Sequence, residues 1–222
     1  MREKERVKEV LRLLNELYPH TRCYLDYNKP YELLFATILS AQCTDDRVNI
    51  VTKDLFAKYP TLEDYAGASL EELESVIHST GFYKNKAQSL KETAALLLSR
   101  HGGEVPSDIE ALTNLRGVGR KTANVVRGNI YKIPSIVVDT HVMRVSQRLG
   151  LTKEDDAVKI EFDLMKKLPQ EAWIDYNFQI IAHGRAICTA KQKRCQICPM
   201  THVCQLYTQE ASRQAKNRKE SQ

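Results

Sequence analysis

Leu112-Thr113-Asn114-Leu115-Arg116-Gly117-Val118-Gly119-Arg120-Lys121-Thr122-Ala123 carries more structural information than any other stretch of this chain. Apolar Leu112 and Leu115 close a short helix, a Gly-x-Gly turn follows, and a second helix begins at once. Glycine reaches positive φ without a Cβ penalty, so Gly117 and Gly119 are both expected there, letting the backbone approach a surface closely. The second helix then points its first-turn N–H groups and positive dipole end outward. That arrangement grips a phosphate without reading any base. A plain tight turn with a glycine cap has the same Gly-x-Gly. Arg120, Lys121 and Thr122 decide for nucleic acid, because they add charge and donors where an anion would sit.

Working outward, nearly every long segment reads as helix. Val7, Val10, Leu11, Leu13, Leu14 and Leu17 recur at helical spacing before Pro19. Leu33 to Leu39 is almost continuously apolar and is expected to be central and buried. Helices are expected over 48–59, 70–77, 84–100, where His101-Gly102-Gly103 stops the run, and 108–115. Further helices are expected over 120–131, 140–149, 156–167 and 173–187. Ile136-Val137-Val138 is β-branched but short and isolated, and reads as an extended lead-in to a helix. The fold class is all-α. The polar tail from Gln205, with Arg213, Lys216, Arg218 and Lys219, is expected to fray.

The 222 residues allow one large domain or two small ones. Hydrophobic residues at 42% and charged residues at 27% are ordinary for a soluble globular protein. Lys and Arg number 33 against 28 Asp and Glu, a net charge of +5 that mildly favours an anionic partner. The N-terminus has no secretory apolar core, and no run reaches membrane-spanning length, so no membrane partner and a cytoplasmic location are expected.

Three groups carry candidate chemistry. Lys121 stands in the first turn of its helix, against the dipole and beside Arg120. Both effects disfavour an ammonium, and a neutral amine is what Schiff-base chemistry requires. A solvated lysine touching phosphate is the plainer alternative. Asp139 stands where a helix begins; it suits an N-cap, and also the anion that an oxocarbenium-like transition state needs. Cys188-x6-Cys195-x2-Cys198-x5-Cys204 gathers four of the six cysteines, a metal-ligand pattern in a reducing compartment. The spacing alone suits either zinc or an iron–sulfur cluster.

Leu115 to Ala123 resembles the helix–hairpin–helix of the DNA glycosylase superfamily, with Arg116 where that motif usually has proline. Val138-Asp139-Thr140-His141-Val142 is similar to the aspartate motif of the same family. Leu39 to Asp45 resembles the segment whose glutamine enters the gap left by an extruded nucleotide, and Thr80-Gly81-Phe82-Tyr83 the second loop that enters the base stack. The cysteine spacing matches the cluster loop of endonuclease III-like glycosylases, with Pro199 after the third cysteine.

The resemblance to that family runs from the first helix to Cys204, with its motifs in the expected order. It implies two helical domains: a six-helix barrel-like domain over 22–133, holding the hairpin at about 108–130, and a cluster domain formed by 1–21 and 134–222. It implies a monomeric, nucleoid-associated enzyme acting on duplex DNA with oxidised pyrimidines or abasic sites. The enzyme would excise the base and cleave the strand by β-elimination. Lys121 and Asp139 would be catalytic, and Cys188, Cys195, Cys198 and Cys204 would hold a [4Fe–4S] cluster. Gln42, Gly81, Phe82, Gly117, Gly119, Arg120, Thr122, His141, Arg144, Lys191, Lys193 and Arg194 would contact DNA. A packed structural role is the alternative for His141, and a helix-terminal polar role for Gln42. An adenine-mismatch glycosylase of the same superfamily would lack a lysine at 121. The rival of another class is a non-catalytic helix–hairpin–helix DNA-binding protein with a zinc site; it leaves the pairing of Lys121 with Asp139 unexplained.

Overall fold

The computed structural model describes the backbone of residues 1–220 and all their side chains except those of 216 and 218–220. Among the described residues there are helices, turns and one isolated bridge between Cys188 and Lys193, and no strand. The chain forms two compact units: Met1–Arg22 together with the chain from Pro134 onward, and Cys23–Ile133. The first helix, α1 (Glu3–Leu17), belongs to the discontinuous unit.

The continuous unit holds α2 (Pro30–Leu39), α3 (Asp45–Lys58), α4 (Leu62–Gly67), α5 (Leu70–Ile77), α6 (Tyr83–His101), α7 (Ile109–Thr113) and α8 (Arg120–Ile130). Local caps set most boundaries. Thr44, Thr61, Ser69 and Asp108 each accept a backbone N–H from the first turn of the helix they precede. Asp64 and Glu72 complete capping boxes for α4 and α5. The long α6 ends at Gly102 in the left-handed conformation. As its composition predicts, α2 is the central helix: every residue from Leu33 to Leu39 is buried.

The discontinuous unit adds α9 (Thr140–Leu149), α10 (Ala157–Lys167), α11 (Trp173–Ala186) and α12 (Gln205–Glu220). Val7, Val10, Leu13 and Leu14 of α1 share one core with Val142 and Val145 of α9, Tyr176 and Ile180 of α11, and Met200 and Val203 of the cysteine loop. The two ends of the chain therefore build a single core. Ile136 to Val138 is extended without pairing into a sheet. The tail from Gln205 is a correction: it is helix rather than frayed chain. Gln205 packs against Gly150, and Glu210 pairs with Lys193. Lys216, Arg218 and Lys219 of that tail lie outside the described side chains.

Candidate functional site

In the continuous unit, the turn between α7 and α8 forms as a hairpin, with one revision of its chemistry. Gly117 sits at φ +76°, and a Cβ there would lie 2.8 Å from Ser89 Oγ and 3.0 Å from Ser89 Cβ. Only glycine fits this conformation and this gap. Gly119 does not share the positive φ expected of it: it is the N-cap of α8 at φ −91°, ψ 176°. Its value is open space, because nothing lies within 4 Å of where a Cβ would point. The hairpin thus divides its labour between one glycine for the turn and one for the approach. Arg116 reaches Glu92 at 3.2 Å, and its carbonyl accepts a hydrogen bond from Thr93 Oγ1, so α6 braces the position that proline usually fills.

The earliest backbone bond of α8 joins the Ala123 N–H to the Gly119 carbonyl. The N–H groups of Lys121 and Thr122 precede it and, as at any helix start, have no acceptor in the turn before. Lys121 is exposed, and Arg120 and Thr122 are half-buried. The Lys121 side chain, backbone donors and a helix dipole therefore meet on one solvent-facing turn.

The same unit presents two loop tips with unusual backbones. Gln42 follows α2 at φ +54°, and Phe82 precedes α6 at φ +50°; both are exposed, Phe82 by 63%. Thr80, the other side chain of the second loop, is 2% exposed and donates to the Ile77 carbonyl, so it faces the core. Gly81, at φ +71°, turns the chain outward between them.

In the discontinuous unit, Asp139 is the N-cap of α9, its Oδ1 accepting the Val142 N–H at 2.7 Å. The carboxylate is half-buried. Its lead-in is held by a residue that the sequence offered no reason to choose. Asn177 of α11, 3% exposed, accepts the Val137 N–H at 2.9 Å and donates to the Ser135 carbonyl at 3.0 Å. Those two bonds replace the ladder that a β-branched run would otherwise seek.

His141 and Arg144 follow on α9. Arg144 donates to His141 Nδ1 at 3.0 Å, to the Gly184 carbonyl at 3.2 Å and to the Cys188 carbonyl at 3.2 Å. Gly184 is required at this crossing, since a Cβ would stand 2.8 Å from His141 Nδ1. The guanidinium thus ties the helix carrying Asp139 to the start of the cysteine loop. His141 remains half-buried beside it.

Cys188, Cys195, Cys198 and Cys204 are half-buried and unbridged, and all four line one small space beside α9, α11 and α12. Burial pushes the thiols of Cys198 and Cys204 up, which a bound cation would reverse by stabilising thiolates. Two donors that sequence reading missed face these sulfurs. Arg148 donates to Cys188 Sγ at 3.3 Å and to the Thr189 carbonyl at 2.8 Å. His183, buried and held down to about 4 by that burial, has Nε2 3.8 Å from Cys198 Sγ and Nδ1 3.2 Å from the Tyr18 hydroxyl. With its proton on Nε2, the imidazole serves both contacts. Among the described residues no three His, Cys, Asp or Glu side chains converge on a position for a single metal ion. In the same loop Lys191 and Arg194 are exposed, while Lys193 is half-buried and paired with Glu210.

The hairpin turn, its exposed lysine and the helix-capping aspartate are features of a DNA repair fold, and the chain belongs to the HhH-GPD superfamily of base excision DNA repair proteins, whose pattern matches residues 35–170. Within that superfamily the chain is similar over most of its length to several endonucleases III. It is 49% identical to endonuclease III of Synechocystis sp., over 91% of this chain and 93% of that one. It is 45% identical to endonuclease III of Bacillus subtilis, over 86% and 88% respectively. A solved structure of a trapped endonuclease III–DNA covalent intermediate, an estranged-adenine complex, matches with a TM-score of 0.90 at 43% identity, covering 95% of this chain and 100% of that one. Among the described residues no helix is long and apolar enough to cross a membrane.

Proposed function

We propose that this protein excises oxidised pyrimidines from duplex DNA and then cleaves the strand 3′ to the abasic site through a Schiff base on Lys121. The observation that carries this reading is an exposed lysine in the first turn of α8, behind a glycine hairpin built to approach phosphate. The likeness to a trapped covalent enzyme–DNA intermediate supports it and favours catalysis over a purely DNA-binding role.

The chemistry runs in balanced steps. Gln42 and Phe82 enter the stack and the damaged nucleotide swings out. The amine of Lys121 attacks C1′ with its lone pair, and the base departs with the glycosidic electron pair and takes up a proton. Asp139, as carboxylate, faces the positive charge that develops on the sugar and accepts the proton released by the amine. The sugar ring opens as an iminium forms between Lys121 and C1′. Loss of a C2′ proton then expels the 3′ phosphate, and water hydrolyses the imine to free the lysine. Arg120, Thr122 and the amides behind Gly117 and Gly119 hold backbone phosphate meanwhile. His141, Arg144, Lys191, Lys193 and Arg194 are assigned to the DNA-facing side of the discontinuous unit, Arg144 and Lys193 through the parts they leave unengaged.

The cysteines fit a [4Fe–4S] cluster by donor chemistry: four thiols line one space, and four cysteine sulfurs are the donor set such a cluster takes. When bound, the group supplies a covalent staple for the loop of residues 188–204, and Arg148 and His183 orient two of its ligand sulfurs. The protein would act as a monomer beside chromosomal DNA in the cytoplasm.

Borohydride reduction tests the central step. Incubated with duplex DNA containing an oxidised pyrimidine, the protein is expected to become covalently fixed to the strand, and Lys121→Ala to lose that adduct entirely. Undiminished trapping by the variant would move the nucleophile elsewhere.

A further inference from the structure

The tips of the two loops assigned to the base stack, Gln42 and Phe82, are both non-glycine residues at positive φ. Side chains rarely adopt that conformation, and surrounding structure must hold them there. What lies beneath both tips is one charged group. Lys86 sits one turn into α6 and is 5% exposed. Its ammonium donates to the Leu39 carbonyl at 2.8 Å, the Ala41 carbonyl at 2.9 Å and the Thr80 carbonyl at 2.8 Å. A lysine ammonium has three N–H bonds, and here each has a carbonyl. The first acceptor is the last residue of α2 and the second lies in the turn immediately before Gln42; the third ends the 3-10 turn immediately before Gly81 and Phe82. The positive charge lies at the negative end of the α2 dipole, where a cation is stabilised. Burial lowers the pKa of this lysine, yet only the charged form can satisfy three acceptors at once.

We propose that Lys86 is a positioning residue for nucleotide extrusion, a buried ammonium that joins the Gln42 loop and the Gly81–Phe82 loop into one insertion unit. The inference rests on the function proposed above, since it needs those tips to enter DNA. Its logic is that two side chains filling opposite sides of one gap must advance together. Three shared carbonyl bonds fix the spacing between them, whereas two independent loops would each have to find it. The lysine touches no DNA in this scheme; it acts through the backbone of its neighbours.

The test separates entry into the stack from the chemistry of Lys121. Lys86→Met keeps length and apolar bulk but removes the donors, and Lys86→Arg restores charge and donors. Single-turnover cleavage is measured on duplex DNA with an oxidised pyrimidine, and on single-stranded DNA with an abasic site, which has no stack to open. The expected result is that Lys86→Met lowers the duplex-to-single-strand rate ratio about ten-fold or more, because small misplacements of positioning groups are costly. Lys86→Arg recovers part of that loss. A 2-aminopurine placed opposite the lesion should brighten less with the Met variant than with the unsubstituted protein. Losses in equal proportion on both DNAs, or no loss on either, overturn the proposal while leaving the enzyme's activity intact as a finding. Absence of any borohydride adduct with the unsubstituted protein would overturn the functional reading, and this inference with it.

Discussion

At Gly117 the backbone stands at φ +76°, and a methyl group there would press on Ser89. At Gly119 the backbone is extended and faces open space. The same substitution should therefore act differently at the two positions. Gly117→Ala is expected to cost about 2 kcal/mol or more, since left-handed backbone alone costs roughly 1–2 kcal/mol for a side chain. That corresponds to a fall in Tm of roughly 4–8 °C for a chain of this size. Gly119→Ala should cost about 0.5–1 kcal/mol, the difference between a fair and a poor N-cap. It should instead weaken DNA binding, because the methyl group occupies the path of a phosphate. Thermal melting and a DNA titration of both variants check the contrast. Equal melting losses would mean that the turn relaxes freely around Ser89.

Between elements, Asn177 shows how α11 governs the start of α9. Asn177→Leu removes the partners of the Val137 N–H and the Ser135 carbonyl, both on a buried segment. Each unsatisfied buried group costs about 1–3 kcal/mol. The variant should melt at lower temperature and excise bases more slowly, because the carboxylate of Asp139 loses its fixed origin; unchanged kcat would detach Asn177 from the site. Nothing in the sequence marks Asn177, since its partners lie some forty positions earlier. Lys86 and Arg148 escaped notice for the same reason. Local signals were legible where physics is local: the cap at Asp139, the apolar α2, and the glycine stop at Gly102. The short α4 was overlooked although Thr61 and Asp64 spell a capping box, because six residues show little periodicity. The polar α12 was overlooked because its support comes from contacts to Gly150 and Lys193 rather than from an apolar stripe.

At the scale of the molecule, the cysteine loop depends on the opposite end of the chain. Met200 and Val203 lie in the core that receives Val7, Val10, Leu13 and Leu14. At about 1.5–3 kcal/mol for each fully buried aliphatic side chain, losing α1 removes roughly the whole margin by which a domain stays folded. On the proposed cluster assignment, a protein lacking residues 1–17 should therefore be purified colourless and without iron, or not recovered in soluble form. Iron per chain and visible absorbance measure this directly, and a full complement of iron in the shortened protein would contradict it.

The discontinuity also sets an order of events at the ribosome. Cys23–Ile133 emerges as an uninterrupted piece and has its whole core before synthesis is finished. The partners of α1 on the cysteine loop leave the ribosome about 180 residues after it does, which at 5–20 residues per second is roughly 10–40 s. The α9 and α11 partners of α1 emerge before them, so its apolar stripe is covered in stages, and nascent chains should be captured there by chaperones early and released fully only when Met200 and Val203 have followed.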